Sequence, residues 1–550
     1  MKKLIIAGVA VSAVLAGMNA NAVPVPLRAN GTPDTAAAFA AGVAETFMTG
    51  SSAATPFITA ALRNGNCAAG APIYRYVDST NGSFAFLCEK SAGFAAVAAP
   101  YLLMHKRDGG GSLNGVRHAD PSLPESSSQV FIVDADLVNV TSCAAVNSAG
   151  VSNCSGGVVT ANNARGRVSE AGFSDVDPAQ FASNINGSAI LGNAVVSTPI
   201  ATQVFGIAVN TRLRDAMQGA MVAASVLPAS CLTTNGIGAA AVAGSRESEE
   251  CMPNLTRAQL ASIFARTRVT DWAQFAYGTT LANQRLFTTN VAVLPAADRP
   301  SNRDIHICTR TQGSGTLATA QIKIEDAPCV GALAEPVLAA TSQTIGTETG
   351  ASGSLKVVHS MSGSGDVESC LSALNSGAAV GTFTPYPVTG FRWAIGIQGI
   401  ERNTNGSIPY RFIKIDNVSP SAHNVSEGRY HFWAELVAVS ATGTITNDPL
   451  ASAIVATMSN PATIGSFLNV THTWGGVTGF LGVATSTAFP PTSTAVIAPG
   501  TLLNAAFDAA RPVNPYSHVA ASGGDLNHCR LPTIPSGQGR AIPAFYPVYR

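Results

Sequence analysis

The sequence predicts an α/β protein with more than one domain, because the chain is long and strand-like segments run through glycine turns into helix-like segments. At 550 residues it is too long for one ordinary core, which suggests two or three domains. The clearest strand-to-helix transition lies near the middle of the chain. Residues 305–309 alternate at the two-residue period of a strand, and after the turn 312–315 apolar residues recur at helical spacing as far as Ile324.

The composition excludes several classes of partner. Lysine and arginine together number 32, as do aspartate and glutamate, so the formal net charge is zero. The chain therefore has no overall positive electrostatic field that would recruit nucleic acid or an anionic membrane. Charged residues make up 12% of the chain and hydrophobic residues 46%, which is not the composition of a disordered protein. Any site for an anion must therefore be local.

Residues 1–22 are typical of a secretory signal peptide. A basic start precedes a short apolar run, and Ala20, Asn21 and Ala22 form a cleavage site of the Ala-x-Ala type. A membrane anchor is the alternative, but the apolar run is too short to span a bilayer. The sequence thus predicts a periplasmic or secreted protein.

Because the chain is predicted to be exported to an oxidising compartment, we first interpret its ten cysteines as disulfide-bonded. Sequence alone leaves the connectivity open. Pairing of nearest neighbours would give Cys67–Cys88, Cys143–Cys154, Cys231–Cys251, Cys308–Cys329 and the distant pair Cys370–Cys529. No Cys-x-x-Cys or His-x-x-x-His grouping indicates a metal or another cofactor, and His528 beside Cys529 is too little for a zinc site.

The central turn has the chemistry of an anion site. The first turn of a helix leaves backbone N–H groups unpaired at the positive end of the helix dipole. Gly313 and Gly315 let the backbone approach a ligand, while the hydroxyls of Ser314 and Thr316 and the guanidinium of Arg310 add donors. The ordinary alternative is that Ser314 or Thr316 only caps the helix.

The motif Arg-x-x-Gly-Ser-Gly-Thr at 310–316 resembles the signature of the phosphate-binding proteins of ABC uptake systems. The resemblance implies a two-lobed, type 2 periplasmic binding protein-like fold with mostly parallel sheets. It also implies that Arg310, Ser314, Gly315 and Thr316 bind phosphate or a similar tetrahedral oxyanion in an interlobe cleft, with an ABC transporter permease as partner. One departure bears on selectivity, because Gln312 stands where the family commonly has an aspartate paired with the arginine.

Three further segments resemble ligand-binding parts of that family. Thr32 lies in a small-residue turn before the helix-like run 35–47, and Ser112 follows three glycines after the strand-like run 102–107. Asp175 lies in a Ser-Asp segment and would accept a hydrogen from a protonated phosphate, which sulfate cannot supply. Each has an ordinary alternative: Thr32 and Asp175 could cap helices, and Ser112 could lie in a flexible loop.

The resemblance also implies a domain order. The chain would cross from lobe 1 to lobe 2 near the two strand-like pieces of 195–210. The expected segments are a signal peptide (1–22), the first part of lobe 1 (23–203), lobe 2 (204–390), a return to lobe 1 (391–438) and a C-terminal extension of unknown role (439–550).

Two other functions were weighed against an oxyanion-binding protein. An exported phosphatase would need a metal pair or an activated nucleophile with a positioned base, and the nine histidines form no such grouping in sequence. An extracellular interaction or surface protein could have kept the fold and lost the ligand, which Gln312 and the long C-terminal extension support. The sequence favours a binding protein that is not an enzyme.

Overall fold

The structure is a computed structural model. It describes residues 23–78, 82–117, 119, 129–130, 137, 139–155, 167–178, 180–181, 195–233, 244–265, 269–278, 286–287, 299–300, 303–327, 329, 343–345, 356–381, 383–384, 390–441, 448–467, 470–483, 509–510, 512–519 and 526–532. The predicted signal peptide lies outside the described residues.

The described residues form both helices and strands. The helices are α1 (Thr35–Ala41), α2 (Ala54–Ala61), α3 (Gly111–Arg117), α4 (Thr211–Ala223), α5 (Arg257–Phe264), α6 (Gly315–Glu325), α7 (Ser364–Ser376), α8 (Ala422–Ser426), α9 (Pro449–Ser459) and α10 (Pro461–Phe467). The strands are β1 (Val43–Gly50), β2 (Ile73–Asp78), β3 (Ser83–Glu89), β4 (Tyr101–Arg107), β5 (Gln129–Val130), β6 (Ser142–Cys143), β7 (Val151–Ser155), β8 (Arg167–Val168), β9 (Ala171–Ser174), β10 (Val195–Asn210), β11 (Asn254–Leu255), β12 (Ile305–Arg310), β13 (Gln343–Ile345), β14 (Lys356–Met361), β15 (Ala394–Gly399), β16 (Tyr410–Ile415), β17 (Trp433–Ala441), β18 (Val470–Thr471), β19 (Val477–Thr478), β20 (Phe480–Val483) and β21 (Val513–Asn514). Among these helices, none combines the length and the apolar character needed to cross a bilayer.

The strands pair into two large mixed sheets. The first has the order β6-β7-β2-β3-β4-β1-β9-β17-β10-β20-β21, and the second has the order β13-β14-β12-β15-β10-β16-β11. The predicted α/β class is confirmed. Parallel pairing is concentrated at β4-β1-β9 in the first sheet and at β14-β12-β15 in the second. The other pairs are mostly antiparallel, so the sheets are more mixed than the resemblance implied.

One long strand joins the two sheets. β10 pairs with β17 in the first sheet as far as Val204, and from Phe205 it pairs with β15 in the second sheet. The residues of β10 are those at which the lobe crossing was expected, and the lobe boundaries stay a prediction. The expected boundary at residue 391 also stays a prediction, but pairing with the first sheet resumes only at Trp433. The reason is that β15 fills the place between β12 and β10, and β16 covers the other edge of β10.

The described part of the C-terminal region packs onto the first sheet. Asp448 caps α9 by accepting from the backbone N–H groups of Leu450 and Ala451 at 2.9 and 3.0 Å. Apolar side chains of α9 are buried together with those of α2, and Phe480 of β20 stacks on Phe57 with ring centroids 4.5 Å apart. These residues of 439–550 are therefore part of the core beside the first sheet.

All ten cysteines form disulfides. The predicted pairs Cys67–Cys88, Cys143–Cys154 and Cys231–Cys251 are confirmed. The other two predicted pairs are wrong, since the structure joins Cys308 to Cys370 and Cys329 to Cys529. Cys308 is buried in β12 and α7 packs beside that strand, which brings Cys370 closer to it in space than sequence distance suggests.

Candidate functional site

The candidate site lies where parallel-paired strands of both sheets end. β1, β4 and β9 run parallel in the first sheet, and β12 and β14 run parallel in the second, so each group has its carboxyl ends at one edge. Ligands of open α/β sheets bind outside such carboxyl ends. The segments that follow these five strands contain small residues and hydroxyls, and Arg310 at the end of β12 donates to two of these segments.

Arg310 is the central cation of the site. It is the last residue of β12, it is 2% exposed, and its guanidinium bonds to segments from both sheets. Nη2 donates to Ser52 Oγ after β1 at 3.0 Å and to the Ser362 carbonyl after β14 at 2.9 Å. Nη1 donates to Ser364 Oγ at 3.2 Å. The guanidinium is thereby held in one orientation between the two sheets.

Asp175 is the central acceptor of the site. It follows β9 and is 2% exposed. Ser51 Oγ donates to its Oδ1, and Thr316 Oγ1 donates to its Oδ2 at 3.4 Å. The backbone N–H of Asp175 donates to Ser112 Oγ at 3.2 Å. The structure thus brings together Asp175, Ser112 and Thr316, which lie far apart in sequence.

The electrostatics of the site are those of a buried ion cluster. Burial raises the pKa of Asp175, and the Ser51 hydrogen bond and the Arg310 charge oppose that shift. Burial also lowers the pKa of Arg310, but a guanidinium keeps its proton in proteins. Lys106 is fully buried nearby and donates to the Ser51 carbonyl at 2.9 Å. Lys106 also pairs with Asp108, so the charges of Arg310 and Lys106 are balanced by the carboxylates of Asp175 and Asp108.

Carboxylates outside the motif at 310–316 act on the charge of Arg310. Asp175, Asp108 and Asp366 all act on Arg310 to oppose the lowering of its pKa. Asp366 lies in the first turn of α7 and accepts from the Gly363 N–H at 2.9 Å. The counter-charge of the arginine thus comes from segments after β4, β9 and β14 instead of from the motif itself.

The segments that follow the strands of the two sheets lie in close contact at the glycines of the site. A Cβ atom on Gly315 would lie 2.4 Å from Ser112 Oγ and 2.6 Å from the Cβ of Asp175. The Leu113 N–H donates to the Gly313 carbonyl at 2.9 Å, which links the start of α3 to the turn before α6. Glycine at 315 is therefore required by packing, and Ser314 beside it caps α6 by accepting from the Leu317 N–H at 3.4 Å.

Ser112 is positioned by close packing of helix on strand. A Cβ on Gly115 of α3 would lie 2.2 Å from the Phe173 carbonyl, and one on Gly172 of β9 would lie 1.8 Å from the Gly115 carbonyl. Because neither glycine has a side chain, α3 lies directly on the backbone of β9. This contact sets Ser112 beside Asp175 and argues against the flexible-loop interpretation of Ser112.

Thr32 lies apart from this cluster. It is buried in the turn before α1, where its Oγ1 donates to Asn30 at 2.7 Å, and within the described residues none of its hydrogen bonds reaches the cluster. The helix-like run at 35–47 is a helix only in part, since α1 ends at Ala41 and β1 starts at Val43. The turn after β1 supplies the contacts instead.

Sequence reasoning missed Ser51 and Ser52, which occupy that turn. Ser51 donates to Asp175, and its Oγ also accepts from the Ala54 N–H at 3.1 Å at the start of α2. Ser52 accepts from Arg310. The missed signal was the order strand, glycine, serine, helix in 43–61, which repeats that of 102–117 and 305–325.

Comparisons with known proteins gave structural matches alone. No protein-family model and no curated protein sequence matches the chain. A candidate phosphate ABC transporter substrate-binding protein with bound phosphate from Clostridium perfringens matches with a TM-score of 0.35 and 12% identity, covering 77% of this chain and 97% of that one. An ABC-type phosphate transport receptor from Vibrio cholerae matches with a TM-score of 0.25 and 12% identity, covering 53% and 79%. PstS from Borrelia burgdorferi matches with a TM-score of 0.23 and 12% identity, covering 53% and 73%.

The first two of these solved structures are named as phosphate transport proteins. Their TM-scores and identities are low, so their ligands are not transferred to this chain. The case for a ligand rests on the site itself.

Proposed function

We propose that this protein is an exported solute-binding protein that holds phosphate, or a similar tetrahedral oxyanion, between its two sheets. The observation that carries the proposal is the convergence of buried Arg310, Asp175 and Ser112 from the ends of parallel strands in both sheets. A small anion at this point would contact both halves of the protein at once. Its binding would favour the closed arrangement of the sheets.

Each group has a role toward the anion. Arg310 supplies positive charge and N–H donors, and Ser51, Ser112 and Thr316 supply hydroxyls that can turn from their present partners to the ligand. The first backbone N–H groups of the 11-residue helix α6 add donors at Gly315. Asp175 accepts the hydrogen that hydrogen phosphate retains, because a carboxylate has lone pairs beyond the two hydrogen bonds made here.

The proposed setting is outside the cytoplasm. Five disulfides are stable in an oxidising compartment, and residues 1–22 have the pattern of a secretory signal. Uptake through an ABC transporter permease is the corresponding biological role, by the family resemblance of 310–316.

Asp175→Asn tests the proposal through selectivity. We expect phosphate affinity to fall at least tenfold, because the amide no longer offers a carboxylate to the ligand hydrogen, a charge-assisted bond of about 1.5–3 kcal/mol. Sulfate affinity should stay the same or rise, since sulfate has no hydrogen to donate and the negative carboxylate is removed. The measurement is isothermal titration of both proteins with phosphate and with sulfate.

Asp326→Asn is the control for this experiment. Its carboxylate is 49% exposed, it pairs with Arg257, and its left-handed backbone suits asparagine. It should bind both anions as the unmodified protein does. Equal loss of phosphate and sulfate binding in Asp175→Asn would refute the assigned role of Asp175, and phosphate release from a generic monoester by the unmodified protein would favour the phosphatase alternative.

A further inference from the structure

A second buried cluster involves the C-terminal segment. Glu435 of β17, His518 and His528 are each at most 2% exposed. One possible ligand atom from each lies within 4.8 Å of those of the other two. The three residues come from separate segments, and the proposed oxyanion function uses none of them.

The arrangement of the atoms suits a divalent metal ion. Glu435 Oε2 lies 2.6 Å from His518 Nδ1 and 3.4 Å from His528 Nε2. Ligand atoms around a tetrahedral zinc ion lie about 3.3 Å apart, given zinc-to-ligand distances of about 2.0–2.2 Å. A shift of less than about 1 Å of the Glu435–His518 pair would therefore admit an ion. Two imidazoles and a carboxylate are ligands that zinc prefers.

The surrounding hydrogen bonds hold these ligands in place. Asp177 Oδ2 lies 2.8 Å from His528 Nδ1, an imidazole-to-carboxylate contact that leaves Nε2 to face the ion. Glu435 Oε1 accepts from Ser517 Oγ at 2.6 Å and from the His518 N–H at 2.9 Å, so Oε2 faces the cluster.

In the metal-free form, the two histidines also make hydrogen bonds to Lys323 and to the backbone of Glu435. Lys323 Nζ lies 2.6 Å from His518 Nε2, the ring nitrogen that does not face Glu435. His528 Nε2 accepts from the Glu435 N–H at 3.0 Å, a bond that the ion would replace. The ion would therefore replace two hydrogen bonds, that of the Glu435 N–H to His528 Nε2 and that between His518 Nδ1 and Glu435 Oε2. His518 would then carry its ring hydrogen on Nε2 and donate it to a neutral Lys323 Nζ.

We propose that Glu435, His518 and His528 bind one zinc ion, which fastens the C-terminal segment to the rest of the protein. The ion would join β17 to the loops at 518 and 528, next to the disulfide Cys329–Cys529. Complete burial favours a structural role, and a water would complete the tetrahedral coordination of the ion. The sequence expectation of no zinc site at His528 considered only its neighbour Cys529, whereas the other proposed ligands lie 93 and 10 residues earlier.

The test is zinc binding by the chelator-treated protein. In equilibrium dialysis with metal analysis, we expect one zinc per chain with micromolar or tighter affinity, and a higher melting temperature with zinc than with chelator. His528→Gln should lower the affinity more than tenfold, and Asp177→Asn should lower it by about 10–100-fold. Cobalt should bind with the visible spectrum of a four-coordinate ion.

The control is His423→Gln, a histidine whose side chain is 52% exposed and which pairs with Glu427 instead. It should bind zinc as the unmodified protein does. Should His528→Gln fail to fold, the stoichiometry and cobalt spectrum of the unmodified protein decide the matter. Failure of the folded, unmodified protein to take up one zinc, or equal uptake by a folded His528→Gln variant, would overturn the proposal, and either result leaves phosphate binding untouched.

Discussion

Phosphate affinity should fall by a factor of 100 or more when Arg310 is replaced by alanine. The guanidinium is buried and supplies the main positive charge of the site, with donors on both Nη atoms. Loss of two charge-assisted hydrogen bonds to an anion costs about 3 kcal/mol or more, and each 1.4 kcal/mol is about a tenfold change in affinity. Isothermal titration with phosphate measures the effect.

Two further variants serve as comparisons for this result: Arg310→Lys is a milder change at the same residue, and Arg429→Ala is the control. The lysine keeps a charge but loses the planar fork, so its affinity should lie between those of the alanine variant and the unmodified protein. Arg429 has a side chain that is 61% exposed and lies outside the site, so its removal should leave affinity unchanged. Circular dichroism and thermal melting show whether each variant is folded. A folded Arg310→Ala variant with unchanged affinity would contradict the assignment of the site.

Gly315→Ala should abolish tight phosphate binding although it adds only one methyl group. The new Cβ would lie 2.4 Å from Ser112 Oγ and 2.8 Å from Asp175 Oδ2, well inside van der Waals contact. The clash is relieved if α6 moves away from α3 and Asp175, and that movement separates the donors of one sheet from the acceptor of the other. We expect at least a 100-fold loss in titration, the same order as for Arg310→Ala, because the displaced contacts include charge-assisted ones of about 1.5–3 kcal/mol each.

Gly365→Ala is the matched control for Gly315→Ala. Gly365 also lies in the first turn of a helix, α7, but a Cβ there would have its nearest neighbour at 3.7 Å, on Arg402. Alanine in a helix is more favourable than glycine by about 0.5–1 kcal/mol, so this variant should melt slightly higher and bind phosphate normally. A Gly315→Ala variant that binds as well as Gly365→Ala would show that the sheets need not approach here.

The sequence predicted the second-sheet half of the site better than the first-sheet half. The turn at 310–316 combines a charged residue, two glycines and two hydroxyls within one strand-to-helix transition, so its chemistry is visible locally. Ser51 and Ser52 occupy a similar transition, but the alanine-rich run at 35–47 that precedes them has the pattern of a helix. Tertiary pairing of β1 between β4 and β9 determines that 43–50 is a strand, and that information is not local.

Contacts between distant segments account for the other differences. Three disulfides span 11–21 residues and follow from nearest-neighbour pairing, whereas those of Cys308 and Cys329 span 62 and 200 residues. The cluster formed by Glu435, His518 and His528 also joins segments that are distant in sequence. No periodicity or spacing in the sequence brings such residues together, because their proximity depends on how the two sheets and the C-terminal segment pack.

The most direct test of the central claim is a crystal structure of the protein with arsenate, located by its anomalous scattering. Arsenate is tetrahedral and keeps a hydrogen at neutral pH, as phosphate does, so it should occupy the same site. We predict one anomalous peak between Arg310 and Asp175, within hydrogen-bond distance of the guanidinium and of Ser112 or Thr316. A peak elsewhere, or no peak at saturating arsenate, would contradict an oxyanion site between the two sheets.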